Sequence, residues 1–505
     1  MTIWSTRVAT LSIRFFLTPF ILHRLGDTEF GLLALVSSAV GQTELLDFGI
    51  KAALTKYVAE HHSKGNYSEA RSLIATSFGL YCGLGLLALL ITAIIAPIFP
   101  YIFNVPPSLK TTATIVVLLM GIQLAFALPG AAPAAALWGL HRYGLVNALI
   151  MTSTVLSAAV TVIVLMAGGG VVAMVAGFTP LPLGMLALGI YAFNRVAPEL
   201  TPSWRDARRH LVRSVLSFSG ATFIIEAGFS LLTKVDEIII GAFLPISSVS
   251  PYAVARRLSG IPQMATEPIL GSFLPVASQL QAEGETDRIR LLYLTGSRMT
   301  LAISVPLAVV LVALAGPLLA LWVGGQYSLY APIVVILALA GVVEISHWPA
   351  KEILQGIARH RGLAPGYICA ALANLGISVA LVRPYGLVGV AIGTLIPSMV
   401  LSFCYIWPYA SWVIGVPWRD LLTRALLPAL VPAAPMIAAV YGMGRILEPS
   451  GLISTGLTAA AGLVIYAAGY LMLAGAEEHE FIRSVLVNAR SGVSLRLNRS
   501  GARSK

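Results

Sequence analysis

The chain has 505 residues, 57% hydrophobic and only 11% charged, with a mean hydropathy of +0.85 and a formal net charge of +11. Soluble domains carry about 25% charged residues, so this composition excludes a globular soluble enzyme, a disordered chain and a disulfide scaffold. The 46 glycines and 29 prolines lie within apolar stretches, which packed membrane helices tolerate because neighbours satisfy the freed backbone groups.

In chain order, stretches of about 20 mainly apolar residues give fourteen candidate spans. They cover residues 3–24, 30–50, 73–99, 113–137, 146–167, 171–193, 214–243, 251–279, 298–323, 331–355, 364–382, 387–409, 424–446 and 454–474. The first contains Arg7 and Arg14 and lacks a small-residue cleavage site, so it reads as a retained span and not as a signal peptide. With the N-terminus inside, 25 Lys/Arg residues fall on inner connections and 4 on outer ones. That bias puts both termini in the cytoplasm, and it accounts for the net charge without nucleic acid. Outer connections such as 245–250 and 324–330 are too short for a catalytic domain. Cys82, Cys369 and Cys404 lie far apart in apolar stretches, with neither a metal-ligand spacing nor a disulfide framework.

An internal duplication is visible. Leu25, Gly65 and Arg71 recur as Leu244, Gly284 and Arg290, 219 residues later; Gly139 and Arg142 recur as Gly356 and Arg359, 217 later; Gly170, Val172 and Gly177 recur as Gly386, Val388 and Gly393, 216 later. The expected architecture is therefore all-α and integral to the membrane. A six-helix lobe over 1–193 is followed by a cytoplasmic linker at 194–213 and a second six-helix lobe over 214–409. Two further helices lie within 410–475, and a basic tail over 476–505 ends the chain. An even number of spans per repeat makes the lobes parallel, facing each other across a cleft.

Ionisable residues at membrane depth are costly and mark protein-facing or wet surfaces. Apart from a cluster in span ten, they occupy spans one, two, seven and eight. At about 100° per residue, Ser219, Thr222, Glu226, Ser230, Thr233 and Glu237 form one stripe on span seven, with Lys234 and Asp236 at its shoulders. Arg7, Thr10, Arg14 and Thr18 form a stripe on span one; Tyr252, Arg256, Gly260, Gln263 and Glu267 form one on span eight; Thr43, Asp47 and Lys51 lie on span two. The four stripes are expected to line one aqueous cavity.

Structural readings stand beside this. The turn near residues 246 and 247 sets Glu237 opposite Arg256 and Asp236 opposite Arg257, as ion pairs or as an outer latch. Lys234 is within reach of Glu237 at i+3, and Asp47 of Lys51 at i+4. Glu344, His347, Lys351 and Glu352 of span ten read as an internal pair network or a proton-coupling element. The spacings Gly79 to Gly83 and Gly389 to Gly393 are helix-packing signals. No phosphate-binding loop, zinc-protease helix or nucleophile elbow is present, so an ATP motor on this chain is excluded and no cofactor is expected beyond proton or sodium coupling.

The run LGDTEFGLLAL at 25–35, DFG at 47–49, VDEIIIGAFL at 235–244, YAVA at 252–255 and YGLVGVAIGT at 385–394 resembles the polysaccharide flippases of the MOP exporter superfamily, over spans one to twelve. The resemblance implies alternating access by two lobes, with spans one, two, seven and eight around a central cavity. It implies a polyprenyl-pyrophosphate-linked oligosaccharide as substrate, membrane lipid as surroundings, and polysaccharide polymerase and other assembly proteins as partners. By position, the pyrophosphate role falls on Arg14, Lys234, Arg256 and Arg257, with Gln263 in the cavity wall and Asp47, Glu226, Asp236, Glu237 and Glu267 as gate or coupling residues. Six carboxylates, these five and Glu44, face those four cations, a departure that keeps a cation-exporting multidrug antiporter open as an alternative. A membrane polymerase is disfavoured by the short outer loops.

Overall fold

A computed structural model describes residues 3–41, 47, 49–208, 211–212, 220–447 and 451–473. Thr43, Glu44, Arg213, Ser219 and the basic tail lie outside them, as do the side chains of Arg7 and Thr222. Among the described residues the chain is helical with no strand. The first half contains α1 (Ile3–Gly41), α2 (Ile50–Ser63), α3 (Tyr67–Ile95), α4 (Lys110–Gly139), α5 (Tyr143–Met166), α6 (Val171–Phe178) and α7 (Pro180–Val196). The second contains α8 (Gly220–Lys234), α9 (Asp236–Phe243), α10 (Val249–Ser259), α11 (Ile261–Leu270), α12 (Phe273–Ala282), α13 (Thr286–Ala313), α14 (Ala315–Val323), α15 (Ala331–Gly356) and α16 (Ala364–Met399), then α17 (Trp407–Ile414), α18 (Ala433–Leu447) and α19 (Leu452–Leu473).

Nine helical stretches among the described residues are long and apolar enough to cross a membrane. One of them, His360–Ile414, takes in two predicted spans, eleven and twelve, folded about Gly386 at φ 57°. Predicted spans one, two, seven and eight are not among the nine. The first two form α1, which turns back at Gly26 (φ 71°), a backbone state that glycine adopts without steric cost. Spans seven and eight are broken into α8–α9 and α10–α11–α12, and α9 to α12 are each shorter than a bilayer crossing. Pro262 and Pro268 contribute to the second set of breaks, since proline withdraws a backbone donor.

The duplication holds in three dimensions. A methyl group on Gly139 would lie 2.7 Å from the carbonyl oxygen of Thr55, and one on Gly356 would lie 2.6 Å from that of Leu274. Thr55 and Leu274 are 219 residues apart, so each half docks its amphipathic helix, α2 or α12, onto the same glycine of α4 or α15. The capping turns also repeat: Gly65 and Gly284 have φ of 72° and 74°, and His141 and Ala358 have 56° and 58°. Asn66 N–H donates to His61 O at 2.9 Å, and Glu285 N–H donates to Leu280 O at 3.0 Å, the six-to-one bond that ends a helix in a left-handed residue. Gly139→Ala and Gly356→Ala should each lower the unfolding free energy by about 1–3 kcal/mol, because backbone must move in both cases. Parallel falls in the melting temperature of the detergent-solubilised protein are expected, and unchanged melting of both variants would contradict the equivalence.

Three hydrophobic cores divide the molecule. One, from Ile50 to Leu200, belongs to the first half, and another, from Ile225 to Tyr470, belongs to the second. The third joins Leu22, Phe30, Leu35 and Val175 to Ile246, Tyr252, Leu319 and Val390. It sits at the end of the bundle that carries the turns at Gly26, Pro245 and Gly325, and so the halves share one core at that end. At the opposite end, which carries most of the Lys/Arg connections, each half has its own core.

Candidate functional site: a cleft between the halves

Among the described residues, every extensive contact between the halves involves α1, which packs on α9, on residues 246–248, on α10 and on α14. The turn that ends α9 and starts α10 brings Ile246 against Gly31, whose missing side chain leaves room for the Ile246 carbonyl oxygen. The repeat makes this contact reciprocal. Gly31 is equivalent to Ser250 and Asp27 to Ile246, and Ser250 Oγ donates to Asp27 Oδ1 at 2.9 Å. Tyr327 OH donates to the same carboxylate, and Asn104 Nδ2 donates to Ala242 O at 3.1 Å. A two-fold relation along the helix direction produces this pairing, as parallel repeats require. We call this end closed and the opposite end basic.

Directly below the closed end lies a cavity of about 770 Å³. Its walls come from α1 (Leu11, Arg14, Thr18, Ser37), α4 (Met120), α6 (Met174, Phe178), α10 and α11 (Arg257, Ile261, Met264) and α14 (Trp322). Trp322 stacks on Phe15 with ring centroids 4.5 Å apart, and its indole N–H donates to Phe15 O at 3.0 Å. Arg14 and Arg257 are exposed to this space. Neither forms an ion pair with a described carboxylate. Arg257 Nη1 donates to Thr18 Oγ1 at 2.9 Å, a bond between the halves, and its guanidinium lies 5.1 Å above the Phe30 ring. Among the described residues the cavity is thus apolar apart from a few hydroxyls and two guanidiniums, one from each half, neither of them in an ion pair.

Arg256, one residue away, has the opposite surroundings. It points into the second half, where Nη2 lies 2.5 Å from Asp236 Oδ2 and Nε lies 2.9 Å from Glu237 Oε1. Both carboxylates are buried, at 0% and 4% exposure. Tyr252 OH (2.5 Å) and Thr394 Oγ1 (2.8 Å) also donate to Asp236 Oδ2, and Asn374 Nδ2 donates to Thr394 Oγ1 at 3.0 Å.

The sequence profile of the family described as "Polysaccharide biosynthesis protein" matches residues 21–332. The chain belongs to this family. It is 24% identical over 505 residues to the succinoglycan biosynthesis transport protein ExoT of Rhizobium meliloti, covering 97% of this chain and 94% of that one. Among solved structures it is similar to the inward-facing conformation of a multidrug resistance MATE family transporter of the MOP superfamily, with TM-score 0.69, 14% identity and coverage of 84% and 97%. It is likewise similar to the lipid II flippase MurJ in an inward closed conformation, with TM-score 0.66, 14% identity and coverage of 94% and 99%. This polysaccharide biosynthesis protein is a multi-pass membrane transporter of the flippase type and not an enzyme.

Several expectations for this family member need correction. The four polar stripes do not share one cavity: of the ten site residues named from the sequence, only Arg14 and Arg257 line it. The stripes assume unbroken helices, whereas α8–α9 and α10–α12 are interrupted. Asp236 pairs with Arg256 and not with Arg257, because adjacent helical residues point about 100° apart and only one arginine can face α9. Asp47 accepts from Tyr81 OH of α3, a partner that the i+4 spacing to Lys51 does not reveal. Glu226 is held by Lys351 of α15 at 2.8 Å. Gln263 packs over Gly341, Glu267 is exposed, and Lys234 is half-buried at the end of α8. In span ten, Glu344 accepts from Ser398 at 3.0 Å, and His347 bonds Ser402 at 2.7 Å and Tyr367 at 3.0 Å, while Lys351 lies near Glu352 and is bonded to Glu226. A methyl group on Gly79 or Gly83 would meet open space, so that pair makes no close packing, whereas Gly389 and Gly393 press on Leu381 and Ser378 across the Gly386 turn. Trp322, Phe15, Met120, Met174 and Phe178 were missed, because a search for charge passes over apolar walls; a tryptophan beside an outer turn was the available signal.

Proposed function

We propose that this protein turns a polyprenyl-pyrophosphate-linked oligosaccharide from the cytoplasmic to the outer leaflet of a bacterial plasma membrane by alternating access. The observation that carries this reading is the pair Arg14 and Arg257, which form no ion pair with a described carboxylate in an otherwise apolar cavity where the two halves meet. A guanidinium at membrane depth costs about 2.5–3.5 kcal/mol on insertion scales, and two in one cavity are accounted for by an anion that takes both. Pyrophosphate matches that requirement through forked, charge-assisted hydrogen bonds. The Lys/Arg bias puts the basic end and both termini in the cytoplasm, so the state described here has its outer end closed. The prenyl tail stays in lipid beside the cavity, where Phe16 is both a lining residue and 72% exposed. A proton or sodium gradient supplies the energy in this reading, with the polymerase receiving the product. The names of the relatives, a succinoglycan transport protein and a lipid II flippase, support the same class of cargo.

Arg14→Ala should abolish complementation of a flippase-deficient strain while the amount of protein in the membrane stays at the wild-type level. Full complementation by that variant would remove Arg14 from the site, and the pyrophosphate reading with it.

A further inference from the structure

We propose that the hydrogen bond from Arg257 to Thr18 is a substrate-sensitive tie between the halves: an anion that takes Arg257 in the cavity breaks it and frees the closed end to open. The inference rests on the reading of the cavity as an anion site. Thr18 is 2% exposed, and its hydroxyl proton is committed to Arg14 O at 2.8 Å. The oxygen that remains is the acceptor for Arg257 Nη1 at 2.9 Å, across 239 positions of sequence. Thr18 is therefore a positioning residue. It holds Arg257 over the cavity, and the main chain of Arg14 holds Thr18.

The tie is weak in the way a switch requires. It is a single bond from a cation to a neutral hydroxyl, whereas a pyrophosphate carries the opposite charge and accepts the guanidinium fork through two parallel bonds. A guanidinium offers five donors, and the tie uses one of them. Of the other polar bonds between the halves, those from Ser250 and Tyr327 to Asp27 and from Asn104 to Ala242 involve no residue that lines the cavity, and one more joins the Trp322 indole N–H to Phe15 O. The stacked pair Phe15 and Trp322 does line it but carries no charge. Among the described residues, Arg257 alone is both a charged wall of the cavity and a bond across the halves. Without such a link, a loaded and an empty carrier would open outward equally well, since a ligand shifts an equilibrium only by its differential affinity for the two states.

The test uses the full chain in nanodiscs with Cys82, Cys369 and Cys404 replaced by alanine and Ala34→Cys introduced in the shared core, where Ala34 is 6% exposed. Maleimide modification of that thiol reports opening of the closed end, and inorganic pyrophosphate is the probe. Pyrophosphate should raise the modification rate about ten-fold, the worth of one hydrogen bond to a charged group. Thr18→Val and Arg257→Gln should each raise the rate without pyrophosphate and abolish its effect, and Thr18→Ser should restore the parent behaviour. If titration calorimetry shows binding that Arg14→Ala removes, yet the modification rate is the same in the parent, Thr18→Val and Arg257→Gln, the tie is overturned and the anion reading stands. If pyrophosphate does not bind at all, the anion reading falls and the tie with it.

Discussion

Arg256→Ala is expected to remove most of the folded protein from the membrane. Asp236 and Glu237 are buried in the second half, and Arg256 is their salt-bridge partner among the described residues. Removing one member of a buried ion-pair network leaves uncompensated charge, at a cost of about 3–5 kcal/mol. That is a large part of the 5–15 kcal/mol, roughly, that separates folded from unfolded chains. Fluorescence-detected size-exclusion after heating should show a fall in the midpoint together with a fall in the amount recovered. The cost lies in the unpaired carboxylates and not in the missing arginine, so Arg256→Met combined with Asp236→Asn and Glu237→Gln should recover most of the loss. A wild-type midpoint for Arg256→Ala would show that these carboxylates are hydrated and not buried. Arg257→Ala, which exposes no carboxylate, should leave the amount of protein unchanged.

Gly31→Val should hold the closed end apart and reduce transport by more than about ten-fold, which corresponds to about 1.4 kcal/mol against the closed state. The side chain would meet the Ile246 carbonyl carbon at 3.3 Å and the Ser250 amide nitrogen at 3.4 Å, and would collide with the Ile246 oxygen. All three are backbone atoms at the turn that joins α9 to α10, so no rotamer change relieves the contact. Small residues at helix interfaces allow this closeness in membranes, where tight packing and not hydrophobic exclusion joins helices. In a cysteine-free background, Ala253→Cys should become reactive to an impermeant thiol reagent from the closed side when Gly31→Val is added, with the protein still present at wild-type levels. Unchanged reactivity together with full transport would mean that the halves do not meet there.

The duplication was legible because glycines at left-handed turns and close crossings tolerate few substitutes, so Gly65, Gly139, Gly284 and Gly356 keep their spacing while their surroundings drift. The concentration of charge on spans one, two, seven and eight was legible because each such residue is costly in hydrocarbon. Which way each charge points was not. Angular bookkeeping requires an intact helix, and the chain is interrupted at Val235, Gly260 and Gly271. Arg256 and Arg257 are chemically identical in the sequence, and one faces buried carboxylates while the other faces a cavity. The repeat offers no help here: Leu17, Thr18 and Ser37 stand in the first half where Asp236, Glu237 and Arg256 stand in the second. The partnership of Glu226 with Lys351 joins helices far apart in sequence, and no spacing rule reaches it.

The proposed mechanism requires a cavity between the halves that is reached from the basic end and shut at the other. It is tested most directly by Ser12→Cys and Ser37→Cys, two exposed lining positions, in oriented vesicles of a cysteine-free background treated with an impermeant maleimide. Both thiols should react when the reagent is on the cytoplasmic side and stay unmodified when it is on the other. Reaction from neither side would place Arg14 and Arg257 in hydrocarbon, and reaction only from the outer side would reverse the assignment of the closed end.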